Sequence, residues 1–456
     1  MPLDLTQKII IGVVVSIIVV IVVAVVLAVV VFKPDSEVTP TVPEGFVGEY
    51  NIADAFTALP TSITFPEELK TDPKTVVALY DNELPLTTSN LSKTGFDIGE
   101  TGLYAGTITQ AGYDTTDYQV VFDEAFHVLL FFTTSNNDIV LQESTDDDYQ
   151  IFANVTLPPS YTGVGFSNGS LKVIKLIDKR FLVVFNKTVG GPGVWAGLSA
   201  DTTGTAWNSA VEIDSNAMAK INVNQLLDGT IVITSDVGRT LTSTDNANNW
   251  VYNGTPLTDV AELTTSANDP ARSKFVATYH GTSQVGFVQS RSDGSIVIGD
   301  AQTFGDYAAA GASLQLGITQ YLDKSYVAYT NNAGHLAVTV LNTFTQTVES
   351  TTELDDTTTF TTQTSPMVTI SNYGPMVLAH IPDGKLGVYQ WKSGTTWTNV
   401  EVRDIALTGA SIGVGVGGAF GRMVVASRLE TANGDVGVNY SWTPGFINYV
   451  VDLIEN

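Results

Sequence analysis

The sequence predicts an all-β domain built from repeated four-stranded sheets and preceded by one N-terminal transmembrane helix. Three observations predict this fold class. Residues 9–32 form a run without a charged side chain. From residue 45 onward, short runs of Val, Ile, Phe and Tyr alternate with turns rich in Gly, Asn, Asp and Thr, which is typical of many short strands. A strand–turn–strand unit also recurs at intervals of 45 to 53 residues, which indicates a repeat architecture.

The run at residues 9–32 is predicted to be an uncleaved membrane anchor. As a helix it would be roughly 36 Å long, enough for a hydrocarbon layer of about 30 Å. Its Val and Ile side chains disfavour a helix in water, but lipid forces the backbone to bond internally. A cleaved signal peptide is the alternative. It would have a shorter apolar core and a cleavage site with small residues, whereas this run ends in three valines and Phe32.

The segments beside the run complete the predicted domain organisation. Residues 1–8 form a short tail, residues 33–44 form a stalk stiffened by three prolines, and residues 45–456 form the β domain. Lys8 and Lys33 flank the helix and nearly balance the positive-inside count. The short tail favours an exported C-terminal domain. We expect a single-pass protein in contact with a lipid bilayer, on the outer face of an envelope or of a virion membrane.

The chain is strongly acidic because it has few basic residues. Its 456 residues include 47 Asp and Glu but only 21 Lys and Arg, so the formal net charge is −26. Such a surface repels phosphate backbones and anionic headgroups, so no nucleic-acid partner is expected. The chain has no cysteine, which excludes disulfides, thiolate metal sites and cysteine nucleophiles. This composition tilts the expected source toward a prokaryote or a virus.

The repeated unit consists of a hydrophobic strand, a polar turn and a second strand. Its period of about 50 residues matches one four-stranded blade of a β-propeller. We therefore predict a β-propeller of seven blades, with one hydrophobic residue of each unit buried at an equivalent site. These residues are Leu129, Leu182, Ile231, Val276, Val327, Val377 and Val424.

The segment before the first clear unit leaves two alternatives. Residues 74–80 resemble the start of an eighth blade, since Val77 precedes Leu129 by 52 residues. Alternatively, residues 45–112 supply an irregular first blade or a strand that closes the ring, which would leave no free sheet edge. A β-sandwich suits the period less well, because its domains need about 100 residues each.

A turn after the third strand of several units carries a motif. Two copies are nearly complete, and they consist of Ser199, Asp201, Gly204 and Trp207, and of Ser243, Asp245 and Trp250. Residues 144–149 and 391–397 are degenerate copies. The motif resembles the Asp-box, S-x-D-x-G-x-x-W, of sialidase-like β-propellers, with Ala247 replacing the glycine in one copy. The resemblance implies a propeller whose Asp-box turns are structural and lie away from the active-site face.

Catalytic residues of that family cannot be assigned to this chain. The resemblance implies three arginines that hold a substrate carboxylate, one of them from the first blade. The chain has seven arginines, of which Arg180 is the first, and Arg239, Arg272 and Arg291 do not map onto the three. No phosphate-binding loop, dinucleotide-binding motif or H-E-x-x-H zinc motif occurs in the required context. We therefore predict no catalytic, cofactor-binding or metal-binding residue, which favours a protein that is not an enzyme.

Three of the four histidines mark a candidate ligand-binding face. His280 and His380 end the second strand of their units, and His335 begins the third strand of another. Their turns belong to one class, which we expect on the face opposite the Asp-box turns. Turns of this class are polar and unequal in length, as recognition loops often are. Ordinary solvated turns have the same composition, so both interpretations stand.

The sequence thus supports two functions. The first is a membrane-anchored, surface-exposed propeller that binds a glycan or a protein, or that takes part in the assembly of an envelope or virion. The alternative is a membrane-tethered glycosidase or lyase of sialidase-like fold. A deep pocket with converging Arg, Tyr and carboxylate groups would favour the enzyme.

Overall fold

The computed structural model describes the chain between residues 45 and 453, and only the backbone of some strands. The gaps are 53–61, 67, 70–72, 81–83, 87, 99–103, 109–117, 126, 135, 137, 146–151, 166–169, 217, 219–220, 236–238, 255–259, 266–273, 280–283, 291–295, 299–301, 304–316, 344, 356–365, 372–373, 382–384, 405–406, 417–421, 430–435 and 443–444. The predicted tail, helix and stalk (1–8, 9–32 and 33–44) lie outside the described residues. In the part of the chain that is described, no helix is long and apolar enough to cross a membrane.

The described residues form 36 β-strands and one 3-10 turn, Pro159–Tyr161. The first eleven strands are β1 Gly45–Ile52, β2 Ser62–Thr64, β3 Pro73–Tyr80, β4 Leu84–Leu86, β5 Thr88–Ser92, β6 Gly95–Ile98, β7 Tyr104–Ile108, β8 Tyr118–Phe122, β9 Val128–Thr133, β10 Ile139–Ser144 and β11 Phe152–Val155. The next twelve are β12 Leu171–Lys175, β13 Phe181–Lys187, β14 Gly193–Leu198, β15 Val211–Asp214, β16 Ile221–Gln225, β17 Ile231–Ser235, β18 Thr240–Ser243, β19 Val251–Tyr252, β20 Val260–Thr265, β21 Lys274–Tyr279, β22 Gln284–Ser290 and β23 Ile296–Ile298. The last thirteen are β24 Gln302–Thr303, β25 Gly317–Tyr321, β26 Lys324–Thr330, β27 Leu336–Asn342, β28 Thr347–Asp355, β29 Met367–Ser371, β30 Gly374–Ile381, β31 Lys385–Ser393, β32 Thr396–Asp404, β33 Leu407–Val416, β34 Arg422–Leu429, β35 Val436–Trp442 and β36 Gly445–Leu453.

Most sheets are antiparallel meanders in which consecutive strands pair. This order holds for β8 to β11, β12 to β15, β16 to β19, β25 to β28 and β29 to β32. The sheet of β20 to β23 gains a fifth strand, β24, which pairs with β22. Contacts between residues divide the chain into Met1–Phe46 with Glu455–Asn456, and Val47–Ile454. All of these sheets lie in the second unit.

The second strand of the β12–β15 sheet is hydrophobic on both faces because a sheet packs on each side of it. In β13, every residue from Phe181 to Asn186 is buried. Phe181 and Val183 join one hydrophobic cluster, while Leu182 and Val184 join another. Alternate side chains of a strand point to opposite faces, so the strand sits between two apolar layers. This packing explains why the repeats show continuous rather than alternating hydrophobic runs.

The first strands of the meanders contact one another in a closed cycle. β8 contacts β12, β12 contacts β16, β16 contacts β20, β20 contacts β25, β25 contacts β29, β29 contacts β33, and β33 returns to β8. Four-stranded meanders arranged in this way form a β-propeller. The predicted all-β propeller fold is therefore confirmed, while the transmembrane part of that prediction falls outside the described residues.

The segment before the first meander completes the sheet of β33, β34 and β35. Strand β7, within 45–112, pairs with β35 as the fourth strand of that sheet. Strand β3, which contains the residues proposed to start an eighth blade, pairs instead with β4 and with the C-terminal β36. A further small sheet consists of β2, β6 and β5. Sequence-distant strands thus close the cycle, as one of the two alternatives predicted.

The seven aligned hydrophobic residues all lie in second strands, but they do not all occupy equivalent sites. Leu129, Leu182, Ile231, Val327 and Val377 are fully buried; the side chains of Val276 and Val424 are not described. Leu182 and Ile231 belong to the same cluster and face each other across one interface between sheets. The predicted alignment of Leu182 with Ile231 is therefore wrong by one residue, because a shift of one position turns a strand side chain to the opposite face.

Candidate ligand-binding cleft

A cleft opens between two neighbouring sheets, β25–β28 and β29–β32. Its volume is roughly 370 Å³, the size at which small-molecule sites begin. It lies at the end of the strands that carries the β25–β26, β27–β28 and β31–β32 turns. The lining residues are Tyr321, Leu322, Asp323, Lys324, Tyr326, Val340, Glu349, Ser350, Trp391, Gly394 and Thr395.

Aromatic rings from both sheets line part of the cleft. The centroids of Tyr321 and Trp391 are 6.1 Å apart, with the rings tilted by 60°. Trp391 Nε1 donates a hydrogen bond of 3.0 Å to the carbonyl oxygen of Gly394, which fixes the indole against its own turn. Behind them, Tyr326 packs edge-on against Trp397 at 6.3 Å. The rings are therefore held in place before any ligand arrives.

A glycine allows these rings to approach each other. Gly374, at the start of β30, has a φ of +120°, a conformation that other residues rarely adopt. A Cβ atom there would lie 2.9 Å from Trp391 Cε3 and 3.4 Å from Tyr321 Cε1. Any larger residue would therefore push the indole out of position.

Polar groups complete the lining of the cleft. Lys324 Nζ donates a hydrogen bond of 2.6 Å to Glu349 Oε2, and Asn342 Nδ2 donates one of 2.8 Å to Glu349 Oε1. Both hydrogen bonds lower the pKa of the Glu349 carboxyl group, and the bond from Lys324 has the larger effect. The hydrogen bond to Glu349 raises the pKa of Lys324. Both groups are thus charged over the ordinary pH range, and both remain partly exposed to a ligand.

The turn between β25 and β26 forms the rim. Tyr321 pairs with Lys324 across a two-residue turn. Within it, Leu322 has a φ of +56° and is 68% exposed. A left-handed backbone is unfavourable for leucine, and such strain concentrates at functional sites. The exposed isobutyl group adds an apolar surface at the entrance to the cleft.

His335, the predicted histidine whose side chain is described, does not line the cleft. His335 lies in the β26–β27 turn, at the other end of the strands. There the Asn331 side chain accepts hydrogen bonds from the backbone N–H groups of Ala333 and His335, at 3.0 and 2.9 Å. His280 lies outside the described residues, and only the backbone of His380, paired with Leu386, is described. Their role stays a prediction.

The first Asp-box-like turn is closed by its own side chains. Asp201 accepts hydrogen bonds from the backbone N–H groups of Gly204 and Ala206, at 2.8 and 3.2 Å. Ser199 Oγ accepts one of 2.9 Å from the N–H of Phe181 and donates one of 2.6 Å to the carbonyl oxygen of Asp201. Gly204 has a φ of +76°. These contacts tie the turn to the second strand of its sheet.

The tryptophan of that turn fills the gap between two sheets. Trp207 is 9% exposed and belongs to the cluster between the β8–β11 and β12–β15 sheets. Its ring packs edge-on against Phe131 at 5.5 Å and Tyr161 at 6.3 Å, and Nε1 donates a hydrogen bond of 2.7 Å to the carbonyl oxygen of Gly204. The turn therefore has a packing role, as the motif predicts.

The second turn closes in a related way. Asp245 Oδ1 accepts hydrogen bonds from Ser243 Oγ at 2.9 Å and from the N–H of Asn249 at 2.9 Å. Ala247, which replaces the motif glycine, has a φ of +68°, so the alanine adopts the left-handed conformation that the motif reserves for glycine. Trp250 packs against the cluster between the β12–β15 and β16–β19 sheets.

The degenerate copies differ from each other. Ser144 Oγ accepts a hydrogen bond of 2.7 Å from the N–H of Val128, the same tie that Ser199 makes in the next sheet; most of the residues after Ser144 are not described. Trp391 and Trp397 instead face each other across the β31–β32 hairpin, whose short turn lines the cleft. The sequence analysis identified Trp391 only as part of a degenerate Asp-box copy, and it did not identify Tyr321, Tyr326 or Lys324.

No protein-family model matches the sequence, and no curated protein matches it either. Solved structures do match. The BP39L lectin from Burkholderia pseudomallei aligns with a TM-score of 0.53 and 14% identity, over 76% of this chain and 98% of the lectin. The WD40 domain of Toxoplasma gondii coronin aligns at 0.49 and 11% identity, over 75% of this chain and 86% of that domain. At these identities the likeness concerns the fold alone.

Proposed function

We propose that this protein is a glycan-binding surface protein whose ligand enters the cleft between the β25–β28 and β29–β32 sheets. The cleft itself is the observation that carries the proposal. It places tyrosine and tryptophan rings in the same lining as a charged, hydrogen-bonding Lys324–Glu349 pair. Aromatic faces carry partial negative charge and attract the polarised C–H groups on one face of a sugar ring. The Lys–Glu pair can donate to and accept from neighbouring hydroxyl groups.

The charge of the cleft selects neutral sugars. Lys324 is matched by Glu349, and Asp323 adds a second acidic group to the lining. The chain as a whole carries a formal charge of −26. A sialylated, sulfated or uronic-acid glycan would be repelled at long range and would meet no unmatched cation in the described lining. A neutral hexose or deoxyhexose avoids both penalties.

The proposed setting is a membrane surface. Residues 9–32 anchor the chain in the bilayer, the stalk at 33–44 holds the domain away from it, and the domain is exported or faces outward on an envelope or virion. We infer that the propeller has seven blades, supported by the cycle of inner strands that runs from β8 to β33 and back. Its Asp-box-like turns support a distant relationship to sialidase-like propellers.

A glycan array with the untagged full chain in detergent tests the proposal. We expect binding to neutral glycans, and at least about 30-fold weaker binding in Trp391→Ala, because a central aromatic contact contributes about 2 kcal/mol or more. Trp195→Ala is the matched control, since Trp195 is also partly buried on a third strand but packs elsewhere, beneath Lys187. Equal loss in both variants, or preference for sialylated glycans, would overturn the proposal.

A panel of glycosides offered to the same protein tests the alternative function. Hydrolysis or elimination that depends on Glu349 would assign the cleft to a carbohydrate-active enzyme instead. Binding of peptides in place of glycans, lost in Trp391→Ala, would assign it to protein recognition.

A further inference from the structure

Three side chains with metal-binding atoms meet beside the β8–β9 turn. They are Asp123, His127 and Glu143, and one ligand atom from each lies within 4.8 Å of the other two. His127 Nδ1 is 3.1 Å from Asp123 Oδ2 and 3.5 Å from Glu143 Oε1. Neither the sequence motifs nor the ligand-binding cleft includes this group. All three residues belong to the β8–β11 sheet, one of the two sheets that Trp207 joins.

The turn holds these atoms in a fixed arrangement. Asp123 is 2% exposed, and its Oδ1 accepts hydrogen bonds of 2.8 Å from the backbone N–H groups of both Ala125 and His127. Its second oxygen is thereby turned toward the imidazole. Glu143 reaches the same point from β10, where its backbone faces Leu129. Two of the groups come from one tight turn and the third comes from one strand, so little ordering remains to be done when a ligand binds.

The charge at this point is not balanced by the nearby lysines. Lys175 and Lys179 both bind Glu124, at 2.6 and 2.7 Å. Two carboxylates therefore face one imidazole in a partly buried position, which a bound cation would stabilise.

We propose that Asp123 Oδ2, His127 Nδ1 and Glu143 Oε1 bind one divalent transition-metal ion, with zinc as the best fit. Ligand atoms about 2.0–2.2 Å from a tetrahedral zinc ion stand roughly 3.4 Å apart, close to the 3.1 and 3.5 Å of the His127 contacts. A site with one nitrogen and two oxygens suits zinc or manganese. Calcium prefers six to eight oxygens, more than these residues supply. The fourth position would take water, because the His127 side chain is 38% exposed.

The β26–β27 turn provides an internal control. Asn331 accepts hydrogen bonds from the N–H groups of Ala333 and His335, just as Asp123 does from Ala125 and His127. His335 Nδ1 lies 3.5 Å from Glu353 Oε2. Here, however, an amide replaces the carboxylate, and Asn331 Nδ2 donates a hydrogen bond of 2.6 Å to Glu353 Oε1. That contact satisfies the glutamate without a metal, so this turn should not bind zinc.

Isothermal titration of the untagged full chain in detergent with zinc chloride tests the proposal. We expect one saturable site that binds zinc more tightly than scattered surface carboxylates do. Excess calcium should not displace the zinc. His127→Ala and Glu143→Gln should each weaken it at least about tenfold, and His335→Ala should leave it unchanged. Circular dichroism verifies folding, and Glu143→Gln, which keeps the side-chain shape, carries the test if His127→Ala unfolds. The absence of a saturable site, an affinity that neither His127→Ala nor Glu143→Gln changes, or displacement by calcium would overturn the proposal.

Discussion

Two interfaces between neighbouring sheets occupy equivalent places in the ring and differ in what fills them. Each is bordered by the first turn of one sheet and the third turn of the next. Between β8–β11 and β12–β15, the third turn is long and inserts Trp207 between Phe131 and Tyr161. Between β25–β28 and β29–β32, the third turn is a short hairpin around Gly394, and the space stays open as the cleft. The longer turn carries the tryptophan that fills its interface, whereas the short hairpin borders a space that stays open.

The largest expected difference between the two interfaces lies in the stability that their tryptophans provide. Trp207→Ala leaves a cavity in a sealed core, so the free energy of unfolding should fall by about 3–5 kcal/mol. Trp391→Ala removes a ring that already borders open space and should cost no more than about 2 kcal/mol. Denaturant unfolding followed by circular dichroism measures both. Equal losses would mean that the cleft is as tightly packed as the sealed interface.

A substitution at Gly374 tests whether the position of the Trp391 indole in the cleft determines glycan binding. Gly374→Ala would place a Cβ atom 2.9 Å from Trp391 Cε3, so the indole must shift and glycan binding should weaken by about tenfold or more. Gly229→Ala is the matched control, because Gly229 also has a positive φ, +89°, but a Cβ there meets no atom within 4 Å. Both variants lose stability from the strained backbone, by about 1–3 kcal/mol. Only the first should lose binding affinity, as a titration of the array-selected glycan would show.

A smaller effect is the pH dependence of the stability that the Asp-box-like turn around Asp245 provides. The backbone N–H of Asn249, followed by its side chain, lowers the pKa of Asp245 from its usual 3.8. A carboxyl group with a lowered pKa in the folded state contributes stability above its unfolded pKa and loses it as the pH falls through the folded value. Stability should therefore decline below about pH 4, and Asp245→Asn should make the decline shallower. Thermal midpoints measured from neutral pH to pH 3 provide the test, and parallel curves for the two proteins would contradict it.

The fold was predictable because the repeat period and the hydrophobic runs both report local strand formation. Leu182 and Val184 are buried, and a continuous hydrophobic run predicts a buried strand even when its neighbours in the fold are unknown. The face that each one occupies was less accessible. Ile231 was aligned one residue out of step, since a strand that is apolar on both faces gives no signal that distinguishes them.

The candidate site was mostly hidden from the sequence. Tyr321 and Trp391 are 70 positions apart in the chain and meet only because their sheets are neighbours. Lys324 and Glu349 look like ordinary surface charges until the β26, β27 and β28 register brings them together. Asp123 and His127 carried a visible four-residue spacing, but Glu143 joins them only through the pairing of β9 with β10. Local motifs reveal turns, whereas sites between sheets depend on topology.

The most direct test of the central claim is a structure of the full chain in detergent bound to the neutral glycan that binds most tightly on the array. We predict one sugar ring over Trp391, with hydroxyl groups within hydrogen-bonding distance of Lys324 and Glu349. A sugar found at the opposite end of the strands, against the turn from Asn331 to His335, would contradict the account and restore the face that the sequence first indicated.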